Sequence, residues 1–362
     1  MDRYHRQMLL PGFGEAGQRR LLEARALLIG CGALGTVIAD QLARAGVGKL
    51  VIADRDFVEL TNLQRQVLFD EKDLKLGLPK AEAAKRKIAA INSQIDVRPV
   101  VEDINHTNIE KLLKINGPVD IILDGVDNFE TRLLINDAAV KHAVPYIYGG
   151  AVGTTGMSFS VLPHTPGGDS AWEASGVATP CLRCLFEEAP PPGLNPTCET
   201  AGVLGSVVSV VASHQVTEAL KVLTGNFANL RRELFWVDLW QNRTRSYKLD
   251  STYRAGDCPC CGQRQFKAIE GAIGSVSTPL CGRNAVQVFG NTPSGSKIDL
   301  EQLGRRLFSH GPVRTNPFML QSWITDAGQE YELTVFSDGR AIIKGTTEPA
   351  TARSIYAKYV GS

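Results

Sequence analysis

Net charge is nearly absent from this chain: 39 Lys and Arg stand against 38 Asp and Glu, leaving +1 over 362 residues. Proteins that hold nucleic acid or an anionic membrane by charge present a basic face. The composition carries no such footprint, so neither partner is expected. Long apolar runs are missing as well. The most apolar helix candidate, Val203 to Leu223, is interrupted by His214, Gln215, Glu218 and Lys221 and should not span a bilayer. The opening, MDRYHRQMLLPGFG, lacks the continuous apolar core of a secretory signal. There is no internal repeat or low-complexity tract. Cysteine is sparse, eight in 362 residues, which argues against a disulfide scaffold. The expectation is a soluble, cytoplasmic protein with room for one large domain and a smaller one.

What is present begins between Arg25 and Arg65. Ala26 to Ile29 is an apolar run too short for a helix and bounded by glycine, which predicts a buried strand. Gly30, Gly32 and Gly35 follow as G-x-G-x-x-G, and a helix pattern closes near Gly46. A second apolar run, Leu50 to Ala53, ends on Asp54. This is the start of a βαβ unit, whose glycines permit a tight turn and close approach of backbone to phosphate. Free N–H groups and the helix dipole make the helix start an anion site. An acid in the place of Asp54 suits a ribose hydroxyl. An NAD-dependent oxidoreductase would satisfy all of this.

The next motifs narrow the choice. Asp54-Arg55-Asp56 leads into Thr61-Asn62-Leu63-Gln64-Arg65-Gln66, and Gly77-Leu78-Pro79-Lys80 opens a helix with Pro79 at its first position. Asp124-Gly125-Val126-Asp127-Asn128 follows another apolar strand. An oxidoreductase has no need of Arg65, Lys80 and a strand-end Asp127 in one pocket. An ATP site needs cations for the triphosphate and a carboxylate for its magnesium. With these motifs the sequence, from Arg3 to about Gly262, resembles the ThiF/MoeB/HesA family of ubiquitin-activating-type adenylyltransferases.

That resemblance implies ATP and Mg2+ as cofactors, with Gly30, Gly32, Ala33 and Gly35 forming the phosphate turn. Ala33 stands where the family usually has glycine, and its methyl crowds the turn. Asp54 would hold ribose, with Asp56, Thr61 and Gln64 lining the site. Asn62, Arg65 and Lys80 would contact phosphates, Asp127 would coordinate magnesium, and Asn128 would accompany it. RYHRQ matches the family's opening pattern, so Arg6 would reach the nucleotide of a neighbouring subunit in a homodimer. The implied substrate is a small ubiquitin-like sulfur-carrier protein ending in Gly-Gly, with a sulfur donor such as a cysteine desulfurase as a further partner. The reaction would be adenylylation of the carrier's C-terminal carboxylate with release of pyrophosphate. An ATP-dependent tRNA-modifying dehydratase shares the same ATP site, although the near-neutral charge gives tRNA no support.

Four cysteines fall in two C-x-x-C pairs, Cys181 with Cys184 and Cys258 with Cys261. They supply the four thiolates that tetrahedral structural Zn2+ prefers. Cys260 is read as the non-ligand, although geometry could exchange it with a neighbour. Cys198 has no such partner; it follows a proline-rich connector, Glu187 to Pro196, and precedes a helix start, where thiolate is stabilised. It matches the family's active cysteine, which implies a catalytic role beside Arg65, Lys80 and Asp127. Cys31 reads as an apolar filler, Cys281 has no visible partner, and His214 reads as packed. His106, His142 and His164 lack metal spacing with the cysteines.

The predicted fold is α/β: a Rossmann-like, doubly wound, mostly parallel sheet, a following antiparallel portion with the zinc site, and a small C-terminal α+β domain. The adenylation domain should cover 1–265, its nucleotide-binding half about 25–150 and its crossover and zinc part about 151–265. The change of texture is placed after Gly149-Gly150. Residues 280–362 form the second domain, with strands at Asn284 to Phe289, Tyr331 to Phe336 and Ala341 to Lys344, a hairpin turn at Ser337 to Arg340, and helices at Leu300 to Phe308 and after Pro349. No rhodanese-like catalytic loop is evident in it.

Overall fold

In the computed structural model, which describes residues 1–165, 168, 170–186, 201–249, 256–271, 279–280, 284–289, 298–326 and 328–360, the short apolar runs are strands. The chain falls into two units, Met1–Ile273 and Gly274–Ser362.

The first unit begins with α1 (Gly14–Glu23), β1 (Arg25–Ile29), α2 (Ala33–Ala45), β2 (Lys49–Ala53), α3 (Lys80–Ile91) and β3 (Asp96–Val100). It continues with β4 (Ile121–Asp124), α4 (Phe129–His142), β5 (Tyr146–Val152) and β6 (Thr155–Val161). Then follow α5 (Gly205–Thr224), β7 (Glu233–Asp238) and β8 (Arg243–Lys248). The strands form one eight-stranded sheet in the order β3-β2-β1-β4-β5-β6-β7-β8. The first five are parallel and the last three antiparallel. Strand β1 is apolar without alternation because both its faces are covered; Ala26, Leu27, Leu28 and Ile29 are all buried. On one face α5 packs on α2 and on β5 and β6. In another part of the core, Leu134, Ile135 and Ala138 of α4 cluster with Leu27, Ile122, Tyr146 and Tyr148. Strand order reverses between β1 and β4, which is where ligands bind sheets of this class, beyond the carboxyl ends of the strands.

Two glycine positions are fixed by close approach. A Cβ on Gly35 would lie 2.1 Å from the Gly30 carbonyl oxygen, so only glycine lets α2 start against the turn. A Cβ on Gly149 would lie 2.3 Å from the Gln215 amide. That amide donates to the carbonyls of Asp124 at 2.9 Å and Ile147 at 3.1 Å, tying α5 to the sheet edge. Gly149-Gly150 is therefore inside β5, the last parallel strand before the antiparallel β6, and the texture changes there because the strand must admit a helix side chain. Pro79 also differs from expectation. It is the residue before α3, extended at ψ 143, because the Lys80 amide donates to the Asp56 carbonyl at 2.8 Å and Phe57 pairs with Pro79.

The second unit contains β9 (Pro279–Leu280), β10 (Ala285–Phe289), α6 (Leu300–Leu307), β11 (Val313–Thr315) and β12 (Met319–Asp326). It ends with β13 (Gln329–Phe336), β14 (Arg340–Lys344) and α7 (Pro349–Tyr359). Its antiparallel sheet runs β11-β12-β13-β14-β10-β9. Leu303 and Leu307 of α6 and Ile355 and Tyr356 of α7 bury one face, against Val286, Leu320, Leu333 and Ile343. Burying a Leu or Ile fully contributes roughly 1.5–3 kcal/mol. The sequence gives no signal for β11 and β12. Ser322 is fully buried between Leu320 and Ile324, so the apolar alternation that marks a strand is broken.

Candidate nucleotide site and metal centre

The carboxyl ends of β1, β2 and β4 assemble one crevice. The Gly30 amide donates to the Ala53 carbonyl and the Gly125 amide to the Ile29 carbonyl, each at 2.8 Å, so the three strand ends are locked in register. The Cys31 amide of the glycine turn donates to Asp54 Oδ2 at 2.6 Å, and the Asp56 amide to Asp54 Oδ1 at 2.7 Å. Burial pushes the Asp54 carboxyl up, while the nearby Lys80 charge pulls it back. Burial likewise pushes the Cys31 thiol up, which leaves it a neutral filler as expected. Lys80 is only 3% exposed, and its Nζ lies 3.1 Å from Asp56 Oδ2. A buried ammonium is retained where a carboxylate compensates it, and that carboxylate belongs to the Asp54–Asp56 segment that also holds the glycine turn.

Other expected residues occupy the loops around this crevice. Arg65 is half-buried, and its Nη1 donates to the Thr61 carbonyl at 2.8 Å. Thr61 and Gln64 are exposed. Asn62 is buried and closes a short turn, its Oδ1 accepting from the Glu59 amide at 3.1 Å. Asn128 caps α4 by accepting from the Thr131 amide at 2.9 Å. Asp127, just before it, is exposed. Arg6 is exposed on the single turn His5–Met8 and is not drawn to the crevice by any hydrogen bond or ion pair among the described residues.

Sequence reasoning missed what lies beneath Asp127. Asp124 is fully buried and accepts from Arg132 Nε at 3.2 Å, from the Tyr146 hydroxyl at 2.7 Å and from the Val126 amide at 3.0 Å. Arg132 also donates to the carbonyls of Val126 at 2.8 Å and Gly149 at 3.1 Å. Burial pushes the Asp124 carboxyl up, against the Arg132 charge. The Asp124–Asn128 loop is thus held from below by an ion pair. An acid closing an otherwise apolar strand, followed by an arginine two turns later, was the available signal.

The cysteine pairs converge. Sγ separations are 3.9 Å for Cys181 and Cys184, 3.7 Å for Cys181 and Cys258, and 3.4 Å for Cys184 and Cys261. All four ligand atoms lie within 4.8 Å of one another, so the set can hold a metal ion. A tetrahedron with Zn–S bonds of about 2.3 Å has S···S edges of about 3.8 Å, so the residues fit zinc. The supports come from α4. Asn136 Oδ1 accepts from the Leu182 amide at 2.7 Å, and its Nδ2 donates to Cys260 Sγ at 3.4 Å. Asp137 accepts from Arg183 Nε and from the Ala268 amide, both at 2.9 Å. Both cysteine loops are therefore fastened to one helix.

Cys198 and Cys281 lie outside the described residues. The described chain on either side of the Cys198 segment is anchored to α4, to β5 and to the turn after β5. Phe186 touches Phe129 and Tyr148, with ring centroids 5.3 and 6.3 Å apart. Beyond the segment, the Gly153 amide donates to the Gly202 carbonyl and the Leu204 amide to the Gly153 carbonyl, each at 2.8 Å. His214 stacks on Phe235 at 4.4 Å, a packed residue as expected. Among the described residues no helix is long and apolar enough to cross a membrane.

Fold and site together define a nucleotide-dependent enzyme of the doubly wound α/β class with an appended cysteine centre. The chain belongs to the ThiF family, which matches residues 4–260. It is 42% identical over 360 residues, 99% of each chain, to the sulfur carrier protein ThiS adenylyltransferase of Bacillus subtilis. It is 38% identical to the sulfur carrier protein adenylyltransferase of Thermus thermophilus, covering 72% of this chain and 91% of that one. The SAMP-activating enzyme E1 of Haloferax volcanii is 35% identical, over 75% of this chain and 92% of its own. Among solved structures, Escherichia coli MccB shares the fold, with a TM-score of 0.55 at 23% identity over 68% of this chain and 71% of that one.

Proposed function

We propose that this chain transfers AMP from ATP to the C-terminal glycine carboxylate of a small ubiquitin-like sulfur-carrier protein, releasing pyrophosphate. The observation that carries the reading is the buried Lys80 ammonium, held by Asp56 beside the glycine turn, in a chain that aligns end to end with a ThiS adenylyltransferase. Neither hydride transfer nor nucleotide storage needs that cation; a departing pyrophosphate does. The carrier carboxylate attacks the α-phosphorus, its oxygen bonds to phosphorus, and the bridging oxygen leaves with the electron pair. No side-chain base is required, because the nucleophile is already ionised. Lys80 and Arg65, with Arg6 from a second copy of the chain, offset charge that builds on the phosphates, so catalysis is positioning and electrostatics. Asp127, with Asn128 beside it, would hold Mg2+, which when bound neutralises phosphate oxygens. Asp54 binds the ribose. Zn2+ on Cys181, Cys184, Cys258 and Cys261 would be structural.

The Cys198 thiolate then attacks the acyl-adenylate carbonyl, forming a thioester as AMP leaves. The protein works in the cytoplasm as a homodimer, and a donor such as a cysteine desulfurase supplies the sulfur. The test is carrier-dependent exchange of labelled pyrophosphate into ATP, with the same incubations resolved by non-reducing electrophoresis. Asp127→Ala should lower exchange by about 10²–10³-fold, while Cys198→Ala keeps exchange and loses the thiol-sensitive carrier adduct. Undiminished exchange in Asp127→Ala removes Asp127 from the site, and an adduct persisting in Cys198→Ala removes Cys198.

A further inference from the structure

One pair of charged residues at the crevice is unused by the reaction above. Arg55 follows Asp54 at the end of β2, and its Nη1 donates to Asp103 in the loop that follows β3. The two strand ends are neighbours, since the Asp54 amide donates to the Val100 carbonyl at 3.0 Å. Arg55 Nε also faces Asp56 Oδ1 at 3.8 Å. The Asp103 loop is itself braced: Asn105 and Asn108 side-chain amides donate to the Asp103 carbonyl at 3.2 and 2.8 Å, and Asn108 Oδ1 accepts from the Asn105 amide at 2.9 Å.

We propose that Arg55, fixed by Asp103, is the base-side wall of the crevice, its guanidinium plane stacking on the purine of the bound nucleotide. The inference rests on the reading of the crevice as an ATP site. Phosphates lie at the β1 turn and ribose at the acid ending β2, so the base extends towards the end of β3, where this pair bridges the two loops. Hydrogen bonds to a guanidinium lie in its plane. Carboxylates on its edges therefore set the orientation of the plane and leave its faces available for stacking. The Arg55 side chain is 24% exposed, so it is not sealed in the core. A phosphate role suits it less well: Asp103 and Asp56 already offset its charge, whereas the recorded partner of the Arg65 guanidinium is a neutral carbonyl.

The test is equilibrium binding of ATP, CTP and pyrophosphate to the full-length chain and three variants. Arg55→Ala should weaken ATP by about tenfold, the size of one stacked base, weaken CTP less, and leave pyrophosphate unchanged. Arg55→Lys should behave like Arg55→Ala, because it keeps the charge and loses the plane. Asp103→Asn should fall between these variants and wild type. ATP binding unchanged in folded Arg55→Ala overturns the proposal, as does an equal loss for pyrophosphate. Should Arg55→Ala not fold, Arg55→Lys decides by the same criteria. Wild-type protein that binds no ATP overturns both this inference and the reading beneath it, whereas normal wild-type binding with unaffected variants overturns this inference alone.

Discussion

The start and the middle of α4 handle polar groups in opposite ways. At its amino end, Asp127 and Asn128 are exposed, and the recorded hydrogen bonds of the Asn128 side chain are a helix cap and one long 3.5 Å contact with Asp127. Two turns later Asn136 and Asp137 are fully buried and paired with cysteine-loop groups, to the Leu182 and Ala268 amides and to Arg183. The start leaves its charge in solvent; the middle uses charge to fasten chain segments more than 40 residues away. The same residue types around one helix are left available or built into the architecture according to whether the fold has already satisfied them.

That contrast predicts a separation of stability from activity. The largest effect should come from Asp137→Ala, which leaves the Arg183 guanidinium without its carboxylate in a site where Arg183 is 5% exposed. Breaking a buried pair this way costs roughly 3–5 kcal/mol. Bound metal and Tm should fall together, read by metal analysis and thermal unfolding, because both cysteine loops hang from this helix. Retention of full metal content and Tm would break the comparison. Asp127→Ala, expected to lower exchange by about 10²–10³-fold, should shift stability by no more than about 0.5 kcal/mol, as exposed substitutions do.

Asn128→Ala sharpens the picture because Asn128 has a task of its own. Loss of its cap to the Thr131 amide should cost about 1 kcal/mol in denaturant unfolding, and Asn128→Asp should recover most of it. The smallest effect concerns a charged cap elsewhere. Asp70 caps the turn Glu71–Leu76, and its hydrogen bond from Lys87, with backbone amides of Lys72 and Asp73, holds its carboxyl down at about 2. The unfolded value is about 3.9. A group depressed on folding contributes stability above its unfolded pKa and loses it as pH falls through the folded one. Asp70→Asn should therefore flatten the stability profile between pH of about 4 and 2 and leave neutral pH less affected by titration. An unchanged acid limb would assign that slope to other carboxylates.

Much of this protein was legible before its structure. The parallel strands, the glycine turn and the C-x-x-C spacing are local: they depend on apolar runs, on Cβ exclusion and on ligand type, which a sequence states directly. Asp124 and Arg132 were not legible, nor Asn136 and Asp137. Nothing in a polar letter says whether it ends up in water or under a sheet, and pairs such as Arg183 with Asp137 are 46 positions apart.

The sequence by itself determined the class of sheet, the strand ends that carry the candidate nucleotide residues and the four thiols that can share a metal, because period, glycine and cysteine spacing act over a few bonds. Only the tertiary structure decided that Gly149 lies inside a strand to admit Gln215, that β12 forms across a buried Ser322, and that Arg55 meets Asp103 between two strand ends. Each of those depends on which distant group occupies the space opposite, and only packing supplies it.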